Sequence, residues 1–107
     1  MQSDLELKII CVIPAFNEEE TIARVVSETD RYVDEVIVVD DGSTDETFAR
    51  AQEAEALVLK HPNNKGKGDA LRTGFERALT LSPDVIVTLD ADAQHDPNEI
   101  PKLLLPI

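Results

Sequence analysis

Four short aliphatic runs, at residues 7–13, 35–40, 56–60 and 84–90, alternate with amphipathic stretches, and that alternation leaves few folds open. Three of the runs are β-branched and nearly continuous in hydrophobicity, the pattern of strands buried on both faces. The third, Ala56-Leu57-Val58-Leu59, is weaker and is expected nearer an edge of the sheet. Strand–helix alternation predicts right-handed βαβ crossovers. The expected fold is therefore α/β: a Rossmann-like, mostly parallel open sheet with helices on both faces, in a single domain spanning residues 1–107.

The helical signals are local. Thr21, Ile22 and Ala23 open a first helix after the acidic run Glu18-Glu19-Glu20, where a helix dipole favours negative charge. Ser43-Thr44-Asp45-Glu46 reads as a capping box with Ser43 as N-cap. From Gly68 onward, Ala70, Leu71, Gly74, Phe75, Ala78 and Leu79 recur with helical spacing and form one apolar face. Asp96-Pro97-Asn98-Glu99 repeats the capping logic, with Pro97 at the first helical position. The tail from Ile100 to Ile107 is strongly apolar, and as a helix it would need a covering layer. Either a dimer forms through this segment or the natural chain continues; continuation is the expectation.

Composition removes several function classes. A net charge of −12 without a Lys/Arg cluster repels phosphate backbones, so no nucleic-acid partner is expected. The single cysteine, Cys11, sits inside the apolar run Ile9–Ile13 and reads as a small core residue rather than a reactive thiol. That usage fits a cytoplasmic compartment. No signal peptide is visible at the N-terminus, and no apolar run reaches the roughly 20 residues of a membrane span.

The unusual residues lie at the carboxyl ends of the expected strands, where open α/β sheets bind ligands. Asp90 and Asp92 flank one small residue just past a buried strand, so in an extended segment both carboxylates face the same way. Two carboxylates about 4 Å apart repel by roughly 4 kcal/mol at an effective dielectric near 20, and a divalent cation removes that penalty. An all-oxygen set suits Mg²⁺ or Mn²⁺, with Gln94 continuing the alternation as a third oxygen donor. Asp96 reads as a cap and His95 as a surface-loop imidazole. Asp40 and Asp41 end the second strand; one is expected to meet a nucleobase edge and the other to hold backbone, and spacing does not assign them. The turn at residues 63–69 is either solvated or anion-binding through its N–H groups and Lys67, with His61 and Pro62 shaping it. It lacks the P-loop spacing, and no G-x-G-x-x-G follows the first strand.

The ordered set of residues 12–19 (VIPAFNEE), 38–45 (VVDDGSTD), 64–68 (NKGKG) and 90–95 (DADAQH) closely resembles glycosyltransferase family 2, in particular its dolichol-phosphate mannose or glucose synthases and related polyprenyl-phosphate enzymes. The resemblance covers residues 8 to 105. It implies a GT-A fold and a GDP- or UDP-linked sugar donor. By the same resemblance Pro14, Phe16, Glu18, Val39, Asp41, Asp90 and Ala91 contact the nucleotide sugar, with Val39 and Asp41 lining the base; Ala15, in the first of these segments, and Lys67, in the glycine-rich turn, complete the candidate set. Asp92 and Gln94 match its metal-binding positions, and together with Asp90 from the paired-carboxylate spacing they form the expected metal set. Phe16 stands where many relatives carry Tyr, which removes a phenol hydrogen bond and keeps the apolar packing. The implied reaction is an inverting displacement onto an acceptor such as a polyprenyl phosphate. The acceptor-side residues of that family lie downstream of the aspartate pair, so no catalytic base is named. The full-length parent is expected to be an enzyme, at the cytoplasmic face of a membrane if anchoring helices follow. The 107-residue piece alone is expected to bind rather than transfer. The alternatives are a nucleotide-binding module without transfer activity and a sugar-phosphate nucleotidyltransferase. The second is disfavoured because Pro14-Ala15-Phe16-Asn17-Glu18 occupies the place of its glycine-rich basic loop.

Overall fold

Strands β1 (Ile9–Ala15), β2 (Glu35–Asp40), β3 (Leu57–Lys60) and β4 (Val85–Thr88) alternate with helices α1 (Ile22–Thr29), α2 (Thr47–Glu53) and α3 (Lys67–Leu79), as the aliphatic runs predict. The computed structural model describes residues 7–92 together with Leu105 and Pro106. The sheet order is β3-β2-β1-β4-β5, where β5 is the two-residue strand Leu105–Pro106. β1 to β4 are parallel, and only β5 runs antiparallel, against β4. The weak run at Leu57 is indeed the edge strand β3, where Leu57, Val58 and Leu59 are only partly buried and Lys60 is exposed.

β1 is central because it is the most continuously apolar run: Ile10, Cys11, Val12 and Ile13 are all fully buried. Each such aliphatic side chain contributes on the order of 1.5–3 kcal/mol by leaving water. Burial also pushes the Cys11 thiol up to about 12, which makes it inert, as its setting in the sequence implies. Alternate side chains of the strands feed two cores. Cys11, Ile13, Val36 and Val38 pack with Ile22, Val25 and Val26 of α1 and Ala51 of α2. Ile10, Val12, Ile37 and Val39 pack with Ala70 and Ala78 of α3 on the opposite face. Gly74 brings α3 close to the sheet, since a Cβ there would run into Val12 Cγ1.

The chain steps outward from β1 through β2 to β3, then returns across the sheet to place β4 on the other side of β1. With crossovers of one hand, a reversal of direction puts α3 on the face opposite α1 and α2. The point of reversal lies between β1 and β4, where a crevice opens at the strand ends.

Two local expectations are corrected. Ser43 is not a helix N-cap: α2 begins at Thr47, and the N-cap residue Glu46 makes no side-chain cap bond. Asp45 takes over part of that role, since its Oδ1 accepts the Thr47 N–H at 2.9 Å. The tail is not helical at Leu105–Pro106, which instead pair with Val85 and Ile86 along the open edge of β4. The cap expected at Asp96 and the loop residue His95 lie outside the described residues.

Candidate functional site

The tip of β1 turns sharply, and its backbone is held by the loop that follows β2. Asn17 adopts a positive φ of 54°, a conformation asparagine tolerates better than most residues. Its N–H donates to Ser43 Oγ at 2.8 Å, and its Oδ1 accepts the Thr44 N–H at 2.9 Å. The Glu18 N–H donates to Thr47 Oγ1 at 2.9 Å, and Thr47 is fully buried. On the other side, Thr21 Oγ1 donates to the Ala91 carbonyl at 2.6 Å and ties the start of α1 to the tip of β4. Side chains thus bind three strand tips into one frame.

The tip of β2 divides its two aspartates. Asp40 is fully buried and accepts the Ser43 N–H on Oδ1 at 3.0 Å, while its Oδ2 finds no partner among the described residues. Asp41 turns toward the α3 side. Its Oδ1 accepts from His61 Nδ1–H at 2.7 Å and from the Lys65 N–H at 3.0 Å, and its Oδ2 accepts the Gly66 N–H at 2.8 Å. His61 in turn meets Thr73 Oγ1 of α3 through Nε2 at 2.8 Å. Burial pushes the Asp41 carboxyl up, but the His61 hydrogen bond, the two backbone N–H groups and the nearby imidazole outweigh it, and the group titrates below its ordinary value. The two aspartates thus differ in setting: Asp40 is fully buried and holds one backbone N–H, whereas Asp41 holds two and also lines the cavity at the strand tips. Next to it Gly42 has φ 80°, and a Cβ there would collide with the backbone of Asn63 and Asn64. The turn at 63–66 is clamped between Asp41 and Gly42.

A cavity of about 570 Å³ opens over these tips. β1 and its loop contribute Pro14, Ala15, Phe16 and Glu18; β2 contributes Asp41; the following turn and α3 contribute Asn64, Gly66, Lys67 and Ala70; the end of β4 contributes Asp90, Ala91 and Asp92. Phe16 is 42% exposed at the rim. Of the candidate residues, Pro14, Ala15, Phe16, Glu18, Asp41, Lys67, Asp90, Ala91 and Asp92 meet on this cavity. Val39 does not: its side chain is fully buried under α3, because strand alternation turns it into the core. Gln94 lies outside the described residues. Asn64, Gly66 and Ala70 line the cavity without having been singled out as contact residues, although the glycine-rich turn carrying the first two was a candidate anion loop.

The charges in the cavity are grouped. Lys67 Nζ pairs with Asp90 Oδ1 at 2.6 Å, both residues lining the cavity. Burial raises the Glu18 carboxyl above its ordinary value, and the fields of Asp92, Asp45 and Asp90 push it further the same way. Negative charge therefore accumulates between the β1 and β4 tips, which is the setting a cation relieves. Among the described residues no group of three His, Cys, Asp or Glu side chains is arranged to hold an ion alone. A divalent ion on Asp90 and Asp92 would accordingly need further oxygens from a ligand or water, as Mg²⁺ habitually does.

Comparison with known proteins gives this arrangement a family. The model of the family described as Glycosyl transferase family 2 matches residues 10–107. This chain belongs to glycosyltransferase family 2. Among the family's members, a UDP-N-acetylglucosamine–dolichyl-phosphate N-acetylglucosaminyltransferase from Methanococcus voltae is 38% identical, over 92% of this chain and 47% of that protein. A dolichol-phosphate mannosyltransferase from Pyrococcus furiosus is 38% identical, over 92% of this chain and 29% of that protein. Glucosyl-3-phosphoglycerate synthase from Mycobacterium tuberculosis, solved with Mn²⁺, UDP-glucose and phosphoglyceric acid, superposes with a TM-score of 0.72 at 36% identity, over 89% of this chain and 37% of that one. The sheet is thus that of the GT-A glycosyltransferases, and the nucleotidyltransferase alternative falls away. The chain spans less than half the length of these relatives. Among the described residues of this family 2 chain, no helix is long and apolar enough to cross a membrane.

Proposed function

We propose that this family 2 chain forms the donor-binding part of an inverting, metal-dependent glycosyltransferase that moves a sugar from a nucleoside-diphosphate sugar to a polyprenyl-phosphate acceptor. The observation that carries the reading is the convergence of Glu18, Asp41, Lys67, Asp90 and Asp92 on one cavity at the sheet's point of reversal. Its volume suits one nucleotide-sized ligand. Asp90 and Asp92 are the residues that would hold Mg²⁺ or Mn²⁺, with Gln94 as a further oxygen. The ion, when bound, neutralises charge on the departing diphosphate.

The other roles belong to the chain itself. Lys67, 62% exposed on its side chain, can leave Asp90 for a diphosphate oxygen without unburying anything. Pro14, Ala15, Phe16 and Ala70 offer apolar surface to the nucleoside. In the transfer, an acceptor phosphate oxygen bonds to the anomeric carbon from the face opposite the diphosphate. The bond from that carbon to the diphosphate oxygen breaks, and its electron pair leaves with the nucleotide. A phosphate acceptor is already ionised, so this step needs no proton removed from the nucleophile. The glycosyltransferases of Methanococcus voltae and Pyrococcus furiosus, named for dolichyl-phosphate acceptors, support that choice.

Calorimetry with a nucleoside diphosphate, with and without Mn²⁺, tests the reading. Metal-dependent heat is expected; silence with both UDP and GDP in the presence of Mn²⁺ would end it.

A further inference from the structure

The bonds already made to Asp41 limit what it can still recognise. An ionised carboxylate accepts about four hydrogen bonds, two on each oxygen. His61 Nδ1–H and the Lys65 N–H fill Oδ1, and the Gly66 N–H takes half of Oδ2. Among the described residues one acceptor position is left, on Oδ2.

The surroundings say what approaches that position. The Asp41 N–H donates to the Ala15 carbonyl at 2.8 Å, and the Ala70 N–H to the Gly66 carbonyl at 3.0 Å. The carboxylate therefore sits on the side of the cavity formed by Ala15, Gly66 and Ala70, while Lys67, which also lines it, is paired with Asp90. An anionic diphosphate is repelled by Asp41 and drawn to Lys67. A flat heterocycle with an N–H on its edge suits the Asp41 side.

We propose that this side of the cavity selects uracil over guanine, so that the donor is a uridine rather than a guanosine diphosphate sugar. The inference rests on the nucleotide-binding reading above and deepens it. Uracil presents a single imide N–H, which matches the single free acceptor. Guanine presents N1–H beside N2–H₂, a pair that needs both oxygens of a carboxylate, and here one oxygen is saturated. Guanine would leave a donor unpaired against a buried carboxylate, a mismatch of the kind that discriminates strongly. The wall there has little room to adjust, because the turn that supplies two of the three donors is also seated on Gly42. His61 is then a specificity-determining residue that acts through Asp41. Its own anchor is Thr73.

Titration of the unmodified chain with UDP, GDP and 3-methyluridine diphosphate, each with Mn²⁺, decides the matter without any variant. UDP is expected to bind about tenfold or more tighter than either of the others, the scale of one lost hydrogen bond to a charged group. GDP binding as tightly as UDP overturns the inference and leaves the nucleotide site standing. Equal binding of UDP and its 3-methyl analogue removes the Asp41 contact and overturns it too. Absence of binding by all three overturns the nucleotide reading itself, and the inference with it. In His61→Leu a position on Oδ1 is freed, so the UDP/GDP ratio should fall severalfold, while His61→Gln, which keeps a donor, should restore it. A ratio unchanged in a folded His61→Leu protein would remove His61 from the account.

Discussion

At the scale of single residues, the cavity separates groups that face the ligand from groups that hold them. Asp92 lines the cavity and adds to the field that raises Glu18. Asp92→Ala should abolish the Mn²⁺ dependence of nucleotide binding and leave far-UV circular dichroism unchanged. Undiminished metal-dependent binding in that variant would remove Asp92 from the ligand set. Lys67→Met tests the diphosphate contact from the other side. Loss of one charge-assisted bond by an exposed lysine should weaken UDP–Mn²⁺ binding by about tenfold, or roughly 1.4 kcal/mol, and flatten its salt dependence. Affinity measured at two ionic strengths gives both numbers. Neither change should disturb the fold, since Lys67 is mostly exposed and Asp92 only partly buried.

At the scale of elements, α3 carries the cavity's basic residue and depends on its approach to β1. Gly74→Ala gains up to about 1 kcal/mol of helix propensity. Against that, its methyl meets the fully buried Val12, and overpacking of this kind costs about 1–3 kcal/mol. Net destabilisation is expected, read from the urea midpoint; a midpoint that rises would show that the helix can lift off the sheet cheaply. The same elements show what periodicity discloses. The buried strands announced themselves by unbroken β-branched runs, and β3 declared its edge position by its weaker one. The start of α2 did not follow its capping box, because Ser43 binds the Asn17 N–H and Asp45 binds Thr47 instead. Those partners come from a loop 26 residues away and from a local turn, and no helical pattern encodes them. Likewise D-D at the end of β2 could be placed at a strand tip, but its division of labour depended on His61, twenty residues on. Val39 shows the converse, since a family position said to line the base is turned into the core by simple strand alternation.

For the whole molecule, the balance of carboxylates fixes the response to acid. Asp41 and Asp45 both titrate below their ordinary values in the folded chain. For Asp45, burial opposes the shift, and bonds from the Thr47 hydroxyl and from backbone N–H groups overcome it. Their stabilisation is complete above the unfolded value, near pH 4, and drains away as pH falls through the lower folded values. Glu18 has the opposite sign: its raised value means that ionisation works against the fold as pH climbs past the ordinary glutamate range. Thermal melts should therefore lose stability steeply below about pH 4. At neutral pH a saturating nucleotide with Mn²⁺ should raise the midpoint. At a hundredfold excess over Kd the gain is about 2.7 kcal/mol, or roughly 10–20 °C for a chain of this size. A melt indifferent to both would contradict the charge assignment.

The clamp on the 63–66 turn carries a kinetic signature. Surface turns ordinarily trade their amide protons with solvent quickly, yet here the Lys65 and Gly66 amides are both held by a carboxylate that is only 5% exposed. In deuterium oxide those two positions should retain hydrogen on the timescale of the neighbouring helix rather than of a loop. That would make them a built-in clock for how firmly the ligand's seat is prepared before anything binds.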